Sequence, residues 1–386
     1  MTTAPVVAHV KDHFLPLSET FIYTLIRSHR RYRPIVLDRH ARRHAHEFPL
    51  DAYYSPVIAF GPLGPMAGIL ERLALRVWKR SPYLERVMRH HRVRLLHVHF
   101  GQVAALFVPI ARRLHIPLVS SFYGKDVSVF AQRPDWRHRF RSLWTYGDAF
   151  LVLGPRMAEQ LAAQGCPEEK IHILPLALNL QHISPKTWSP LQKTGATTYL
   201  LTVGRLVPKK GTDVLLRAFA HLPEHTHLWI IGDGPQRAAL EHLTRALNLA
   251  HRVTFLGWRP HNEVLEWMQR AHIFVLPSRT DPESGETEGT PTVLLEAQST
   301  GLPVVATYHA DIPFIVEHGR TGLLVPEGDE EALARALNEL CNRPERWAEM
   351  GRAGREQVGT RHSASRVIQR LESMYDMLIR NTTSTL

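Results

Sequence analysis

Short runs of apolar, often β-branched residues alternate along the chain with longer stretches in which apolar positions recur every three or four residues. That alternation predicts βαβ units and parallel sheets. The runs fall at 6–10, 34–37, 95–97, 117–121, 149–153 and 171–174, and then at 199–203, 227–231, 253–256, 273–276, 303–306 and 322–325. Between the two sets, 177–198 carries Ser184, Pro185, Ser189, Pro190 and Gly195 without helical period, and reads as a linker. The expected division is therefore a first domain over 1–190 and a second over 191–363. Near the end, Val367, Ile368, Leu371, Met374, Tyr375 and Leu378 form a stripe at helical spacing. A helix over 364–386 is expected to pack that stripe back on the first domain.

Length agrees with two domains, since 386 residues exceed what one core of roughly 100 to 200 residues holds. With 44% hydrophobic and 22% charged residues the composition is that of a globular protein. The longest apolar run, 103–111 with Pro109 inside it, falls far short of the roughly 18 residues of a membrane span. Residues 1–12 lack the pattern of a signal peptide, and Cys166 and Cys341 cannot make a disulfide framework, so a cytoplasmic location is expected. Charge is uneven: 26 basic and 13 acidic residues in 1–190, against 21 and 23 in 191–386. A basic half attracts any polyanion, whether nucleic acid, anionic lipid or an acidic partner. Within it, 69–94 interleaves Leu70, Leu73, Val77 and Trp78 with Arg72, Arg76, Lys79 and Arg80. The segment is either a surface helix with its apolar stripe on the core or one that lies on anionic lipid.

Two segments carry candidate chemistry. Gly204 leaves the strand at 199–203, and Arg205 and Lys210 follow in a loop that ends at Gly211. Two such cations can converge on a diphosphate, although a strand-to-helix loop with solvated lysines has the same composition. Further on, Glu288 and Glu296 flank Gly289, Thr290 and Pro291 and the start of a helix. Proline suits a first helical turn, the free amides near Gly289 and Thr290 suit an anion, and a carboxylate one or two turns on can accept from sugar hydroxyls.

The ordered set resembles retaining glycosyltransferases of family 4, and within them the bacterial exopolysaccharide and colanic-acid type. The resemblance rests on Phe14 to Phe21, His97-Val98-His99-Phe100-Gly101, Phe122-Tyr123-Gly124-Lys125-Asp126-Val127, Val203-Gly204-Arg205, Gly232-Asp233-Gly234-Pro235, Phe255-Leu256-Gly257, the Glu288 and Glu296 pair and Gly322 to Pro326. It implies the α/β GT-B fold, two Rossmann-like parallel-sheet domains facing a central cleft, the first for the acceptor and the second for a nucleotide-sugar. By the same resemblance Arg205 and Lys210 hold the diphosphate with Gly204, Gly289, Thr290 and Pro291 around it, Glu288 a hydroxyl of the transferred sugar and Glu296 the ribose. The base lies near Gly234 and Gly257, Ser18, Glu19 and Tyr123 lie on the acceptor side, and His99 and Asp126, facing the cleft from that side, join Arg205, Lys210 and Glu288 as the implied catalytic residues. Two places depart from the family pattern: Tyr123 stands where many relatives have His, and His309-Ala310-Asp311-Ile312-Pro313-Phe314 where many have His-Gly-Gly-Ile-Pro-Glu.

The expected reaction moves a hexose from a UDP- or GDP-linked donor, which is substrate and not cofactor, to a glycan. No cofactor or metal is expected, since no Asp-x-Asp occurs in the sequence and fixed cations can stabilise the departing diphosphate. Retention of configuration is implied by the resemblance alone. Subgroup and charge together point to a lipid-linked acceptor and to the inner face of a membrane. A sugar-nucleotide epimerase of the same fold and a basic nucleic-acid-binding protein stand as alternatives, the latter without a zinc-finger or RNP-type motif. The His-x3-His spacings at His9 and His13, His40 and His44, and His221 and His225 lack the Glu of a zinc-protease helix and read as structural.

Overall fold

The computed structural model describes the chain except residues 1–3, 15–18, 41, 43, 131–132, 189–196 and 385–386. Seven strands build the first sheet: β1 (Val6–Val10), β2 (Arg33–Leu37), β3 (Tyr53–Tyr54), β4 (Val93–His99), β5 (Leu118–Ser121), β6 (Ala149–Val152) and β7 (Ile171–Ile173). They run parallel in the order β3-β2-β1-β4-β5-β6-β7. Every residue of β1, β5 and β6 is buried, as a sheet covered on both faces requires. The two-residue β3 is too short to leave an apolar run, and its tyrosines are only half-buried.

Six strands make the second sheet: β8 (Thr198–Val203), β9 (Thr226–Ile231), β10 (Val253–Gly257), β11 (Ile273–Leu276), β12 (Val304–Thr307) and β13 (Gly322–Val325). All are parallel, in the order β10-β9-β8-β11-β12-β13. Each sheet thus has one place where the strand order reverses, between β1 and β4 and between β8 and β11. In open α/β sheets ligands bind outside the carboxyl ends of the strands at such a place.

The chain divides into two compact units, Met1–Leu178 with Ala364–Leu386, and Asn179–Ser363. The division comes a dozen residues before the expected boundary at 190. Part of the segment read as a linker is tied to the second unit by its hydrogen bonds: Lys186 N–H donates to Thr300 O at 2.7 Å, Lys186 Nζ to Ala271 O at 2.8 Å, and Trp188 Nε1 to Gly301 O at 3.3 Å. The helix Ala364–Ser384 belongs to the first unit, where Val367, Ile368, Leu371 and Tyr375 are buried against Val7, Leu95, Val119 and Leu151.

That same helix meets a buried cluster of imidazoles. His9 of β1 pairs in register with His97 of β4, and His99 follows two residues on, so the strand period turns both β4 rings to one face. His97 Nδ1 lies 2.5 Å from the Tyr375 hydroxyl, and the His97 and His99 rings stack at 4.6 Å. Burial first, and then the neighbouring imidazoles, hold His9, His97 and His99 well below the usual histidine range.

Two outcomes follow from this packing. Leu371→Ala, at a fully buried position, should destabilise the first unit by about 2–5 kcal/mol and leave the melting of the second unchanged, which calorimetry of the whole chain resolves. Acid should act on the same unit. The unfolded chain takes up protons on these histidines near the ordinary value of about 6.5, and the folded unit does not. Their contribution is therefore present above that value and lost as pH falls below it, by up to about 4 kcal/mol per pH unit if all three differ. Amide exchange of β1 and β4 should accelerate over that range, and flat protection would exclude a neutral histidine core.

Candidate functional site

In the second unit the loops after β8, β9 and β10 close on one another through backbone. Gly204 N–H donates to Ile231 O at 2.9 Å, Leu206 N–H to Asp233 O at 3.0 Å, and Gly232 N–H to Gly257 O at 2.9 Å. A Cβ at Gly232, where φ is 133°, would stand 1.9 Å from Gly204 O, and one at Gly234 2.5 Å from Leu206 O. No side chain fits at either position, so these strand ends offer backbone to whatever binds there. Gly204, Gly234 and Gly257 are thereby brought together.

The turn that follows, Pro208–Lys210, is held from below by Arg279. Its backbone N–H donates to Lys209 O at 2.9 Å, its Nε to Pro208 O at 3.1 Å, and its Nη2 to both Asp213 carboxylate oxygens at 3.0 Å. So fixed, the turn sets Lys210 Nζ 3.1 Å from Glu288 Oε1 and Lys209 Nζ 3.9 Å from it, with Lys209 also 2.8 Å from Glu286. Burial alone would push the Glu288 carboxyl up, and Lys210 and Lys209 outweigh it and hold it below the usual range. Arg205, by contrast, is exposed and makes no side-chain hydrogen bond or ion pair among the described residues.

Glu288 is also fixed through its backbone. Its N–H donates to His309 Nε2 at 3.0 Å, which leaves His309 Nδ1 as the donor to Glu327 Oε1 at 2.7 Å, and Glu327 Oε2 in turn accepts from Thr280 N–H at 2.7 Å. His309 opens the segment that departs from the family pattern, and this chain of bonds gives it a role that spacing alone does not indicate. Beyond Glu288, the amides of Gly289 and Thr290 have no acceptor among the described residues, and the buried Thr290 hydroxyl has no partner. Pro291 precedes the helix Thr292–Thr300. On that helix Glu296 Oε1 lies 3.0 Å from His261 Nε2, and this bond, working against burial, raises the His261 pKa. The ribose carboxylate of the sequence reading is thus engaged by an imidazole.

The first unit departs further from expectation. Asp126 does not present a free carboxylate: it is fully buried and accepts from the backbone N–H of Gly101 at 3.1 Å and of Tyr123 and Gly124 at 3.0 Å. Burial raises its pKa and these amides oppose the rise. Asp126 holds together the loops after β4 and β5, where Phe100 takes a left-handed φ of 74° that only a well-tied loop sustains. His99 is likewise fully buried, between His9 and the Tyr123 hydroxyl at 2.7 Å. Glu19 pairs with Lys11 at 3.1 Å, and Tyr123 packs beside Phe21 and Phe100. Ser18 lies outside the described residues.

Among the described residues two groups bring three possible metal-ligating atoms within 4.8 Å of one another, His9 with His97 and His99, and Asp12 with Asp38 and His40. Internal bonds occupy both. His9 meets His99 at 3.1 Å and His97 meets Ser121 at 2.7 Å, while Asp12 pairs with Arg39 and Asp38 accepts from Phe14 N–H and the Tyr53 hydroxyl. The sequence reading weighed His9 only with His13, at a spacing it took as structural; the parallel register of β1 and β4 brings His9 to His97 and His99.

Two family models match the chain, Glycosyltransferase Family 4 over residues 18–182 and Glycosyl transferases group 1 over 189–357. It is 33% identical over 223 residues to the putative colanic acid biosynthesis glycosyltransferase WcaL of Escherichia coli, covering 57% of this chain and 54% of that one. To the amylovoran biosynthesis glycosyltransferase AmsK of Erwinia amylovora it is 32% identical, covering 63% and 60%. The chain therefore spans a little over half the length of these two relatives. With the GDP-mannose-dependent alpha-(1-6)-phosphatidylinositol monomannoside mannosyltransferase of Mycolicibacterium smegmatis it shares 30% identity over 67% of itself and 70% of the relative. Among solved structures, Anabaena Alr3699/HepE in complex with UDP and glucose superposes with a TM-score of 0.74 at 18% identity, covering 97% of this chain and 100% of that one. A glycosyltransferase from Rickettsia africae gives 0.77 at 14% identity, covering 98% and 99%. These two share the GT-B fold. Glycine-lined strand ends, a lysine-paired carboxylate and the match to the mycobacterial relative agree: the chain belongs to the group 1 glycosyl transferases of glycosyltransferase family 4.

Proposed function

We propose that this chain is a retaining, metal-independent glycosyltransferase that moves a hexose from a nucleotide-sugar to a lipid-linked glycan in cell-surface polysaccharide synthesis. The observation that carries the reading is the cation set after β8. Arg205 is exposed and unpaired among the described residues, and Lys210 stands against Glu288 at 3.1 Å. A diphosphate placed there meets Arg205 and Lys210 as well as the unengaged amides of Gly289 and Thr290, donors already oriented before any charge develops on the leaving group. Glu288, kept ionised by the lysines, accepts from a sugar hydroxyl, and Glu296 accepts from the ribose once His261 yields it.

The mechanism asks little of acid–base chemistry in the second unit. Fixed positive charge stabilises the departing nucleoside diphosphate without a metal, and its phosphate oxygen takes the proton of the attacking hydroxyl on the same face of the sugar. The mannosyltransferase relative is named for GDP-mannose and the Anabaena structure holds UDP, which leaves GDP- and UDP-sugars as the two donor classes to screen. Family membership favours transfer over the epimerase and nucleic-acid readings.

A lipid-linked acceptor is favoured by the surface of the first unit. The helix Gly64–Val77 and the residues on either side of it expose Phe60, Leu63, Met66, Ile69, Leu70, Leu73, Val77 and Trp78, the last 67% exposed, beside the exposed cations Arg76 and Lys79. Of the two sequence readings of 69–94, a stripe turned to the core does not account for these side chains. No helix among the described residues is long and apolar enough to cross a membrane.

Arg205→Ala should leave the fold intact and slow transfer by roughly 10²- to 10³-fold, with thermal stabilisation by UDP or GDP reduced alongside. Activity within about threefold of the parent would remove Arg205 from the site. In flotation assays the chain should bind vesicles rich in anionic lipid, and Arg76→Ala and Lys79→Ala should each weaken that binding about fivefold. Equal binding to neutral and anionic vesicles, or none to either, would remove the membrane surface from this reading.

A further inference from the structure

In the first unit three histidines join end to end between the closing helix and Tyr123. Glu372 Oε1 lies 3.1 Å from His29 Nδ1, His29 Nε2 lies 3.0 Å from His9 Nε2, His9 Nδ1 lies 3.1 Å from His99 Nε2, and His99 Nδ1 lies 2.7 Å from the Tyr123 hydroxyl. Every step is within hydrogen-bond distance. The side chains of His29 and Glu372 are 0% and 2% exposed, and His9 and His99 are fully buried, so bulk water does not interrupt the path.

Such a chain has a direction. A neutral imidazole has one donor and one acceptor nitrogen, and a carboxylate only accepts. Burial would raise the Glu372 carboxyl, but the bond from His29 and the Arg30 and Arg31 amides outweigh it and bring it down to about 2, so it is ionised. Burial keeps His9 and His99 neutral and keeps Tyr123 protonated. If the Nδ1–H of His29 points to Glu372 and no second proton sits on its Nε2, that nitrogen accepts from His9. His9 Nδ1 must then accept from His99, and His99 Nδ1 from Tyr123. The tyrosyl hydrogen is drawn inward and its lone pairs are left on the other side. Tyr123 lines a small recess, with room for about one water, whose other walls include Phe21, Leu25, Leu153, Leu174 and the hydroxyl-bearing Ser121.

We propose that Glu372 and His29 are positioning residues that, through His9 and His99, fix the Tyr123 hydroxyl as a hydrogen-bond acceptor toward this recess. That oxygen then accepts from a single ligand hydroxyl that reaches the recess beside apolar surface. This deepens the acceptor-side reading of the first unit and rests on it for the ligand. The proton order along the chain does not depend on that reading.

The test has two arms. Histidine-selective ¹⁵N spectra of the whole chain in mildly alkaline buffer should show hydrogen on Nδ1 of His29 and on Nε2 of His9 and His99. The opposite tautomers, which a second proton on His29 would impose, or rapid exchange between them, would overturn the proposal without reference to any ligand. In the second arm octyl α-mannoside is titrated into the parent and its variants. Tyr123→Phe and Glu372→Leu should each weaken binding about threefold to tenfold, their combination no further, and Glu372→Gln, whose carbonyl still accepts from His29, should bind like the parent. Additive losses, or a Glu372→Leu that lowers thermal stability but leaves binding and tautomers unchanged, would reduce the chain to a structural role. Absence of binding in every variant, with the tautomers as stated, would overturn the ligand half and the acceptor-side reading together.

Discussion

A buried carboxylate beside two ammonium groups governs the second unit. Removing a charge from water costs several kcal/mol unless a partner replaces the solvent, and Glu288 has Lys210 beside its carboxylate, while His309 fixes its backbone amide. Much of the surrounding architecture serves that pair. Arg279 and Asp213 hold the lysine turn, and Glu327 and Thr280 hold the imidazole. That arrangement leaves the exposed Arg205 and the amides of Gly289 and Thr290 without a partner among the described residues.

The first unit solves the same problem with the opposite chemistry. Where the second compensates charge with charge, the first holds the imidazoles of β1 and β4 neutral and satisfies them in series. The imidazoles of β1 and β4 bond to one another and to Tyr375, Ser121 and Tyr123, and the only strong charge at the far end, Glu372, is shared among His29, two backbone amides and the Arg31 guanidinium. Both units place these networks at the carboxyl ends of central strands, where parallel pairing leaves loop backbone free to be shaped.

Much of the fold was legible because parallel strands buried on both faces leave unbroken apolar runs. All strands but the two-residue β3 coincide with such a run, although β4, β7, β9 and β10 break theirs with polar residues, and the closing helix announces itself by its stripe from Val367 to Leu378. The domain boundary was less legible, because Lys186 and Trp188 belong to the second unit by hydrogen bonds that composition does not encode. In the site, Gly204, Lys210, Glu288 and Glu296 could be named since each sits in a short motif. The setting of Asp126 was not legible for a physical reason: an aspartate two residues past a glycine looks the same in sequence whether it faces a ligand or, as here, ties backbone amides. The histidine chain was invisible because its members come from β1, from the end of the first helix, from β4 and from a helix 343 residues beyond His29, and only the folded sheet brings them together.

The placement of the helix Ala364–Ser384 has a bearing on biosynthesis. The first unit begins the chain, yet its core includes Val367, Leu371 and Tyr375, and one end of its hydrogen-bond network is Glu372. Domains generally fold in the order in which the ribosome delivers them. Here the order inverts: the inserted second unit is complete in sequence at Ser363, while the core of the first stays incomplete, an apolar face of its sheet uncovered, until Val367, Leu371 and Tyr375 have emerged.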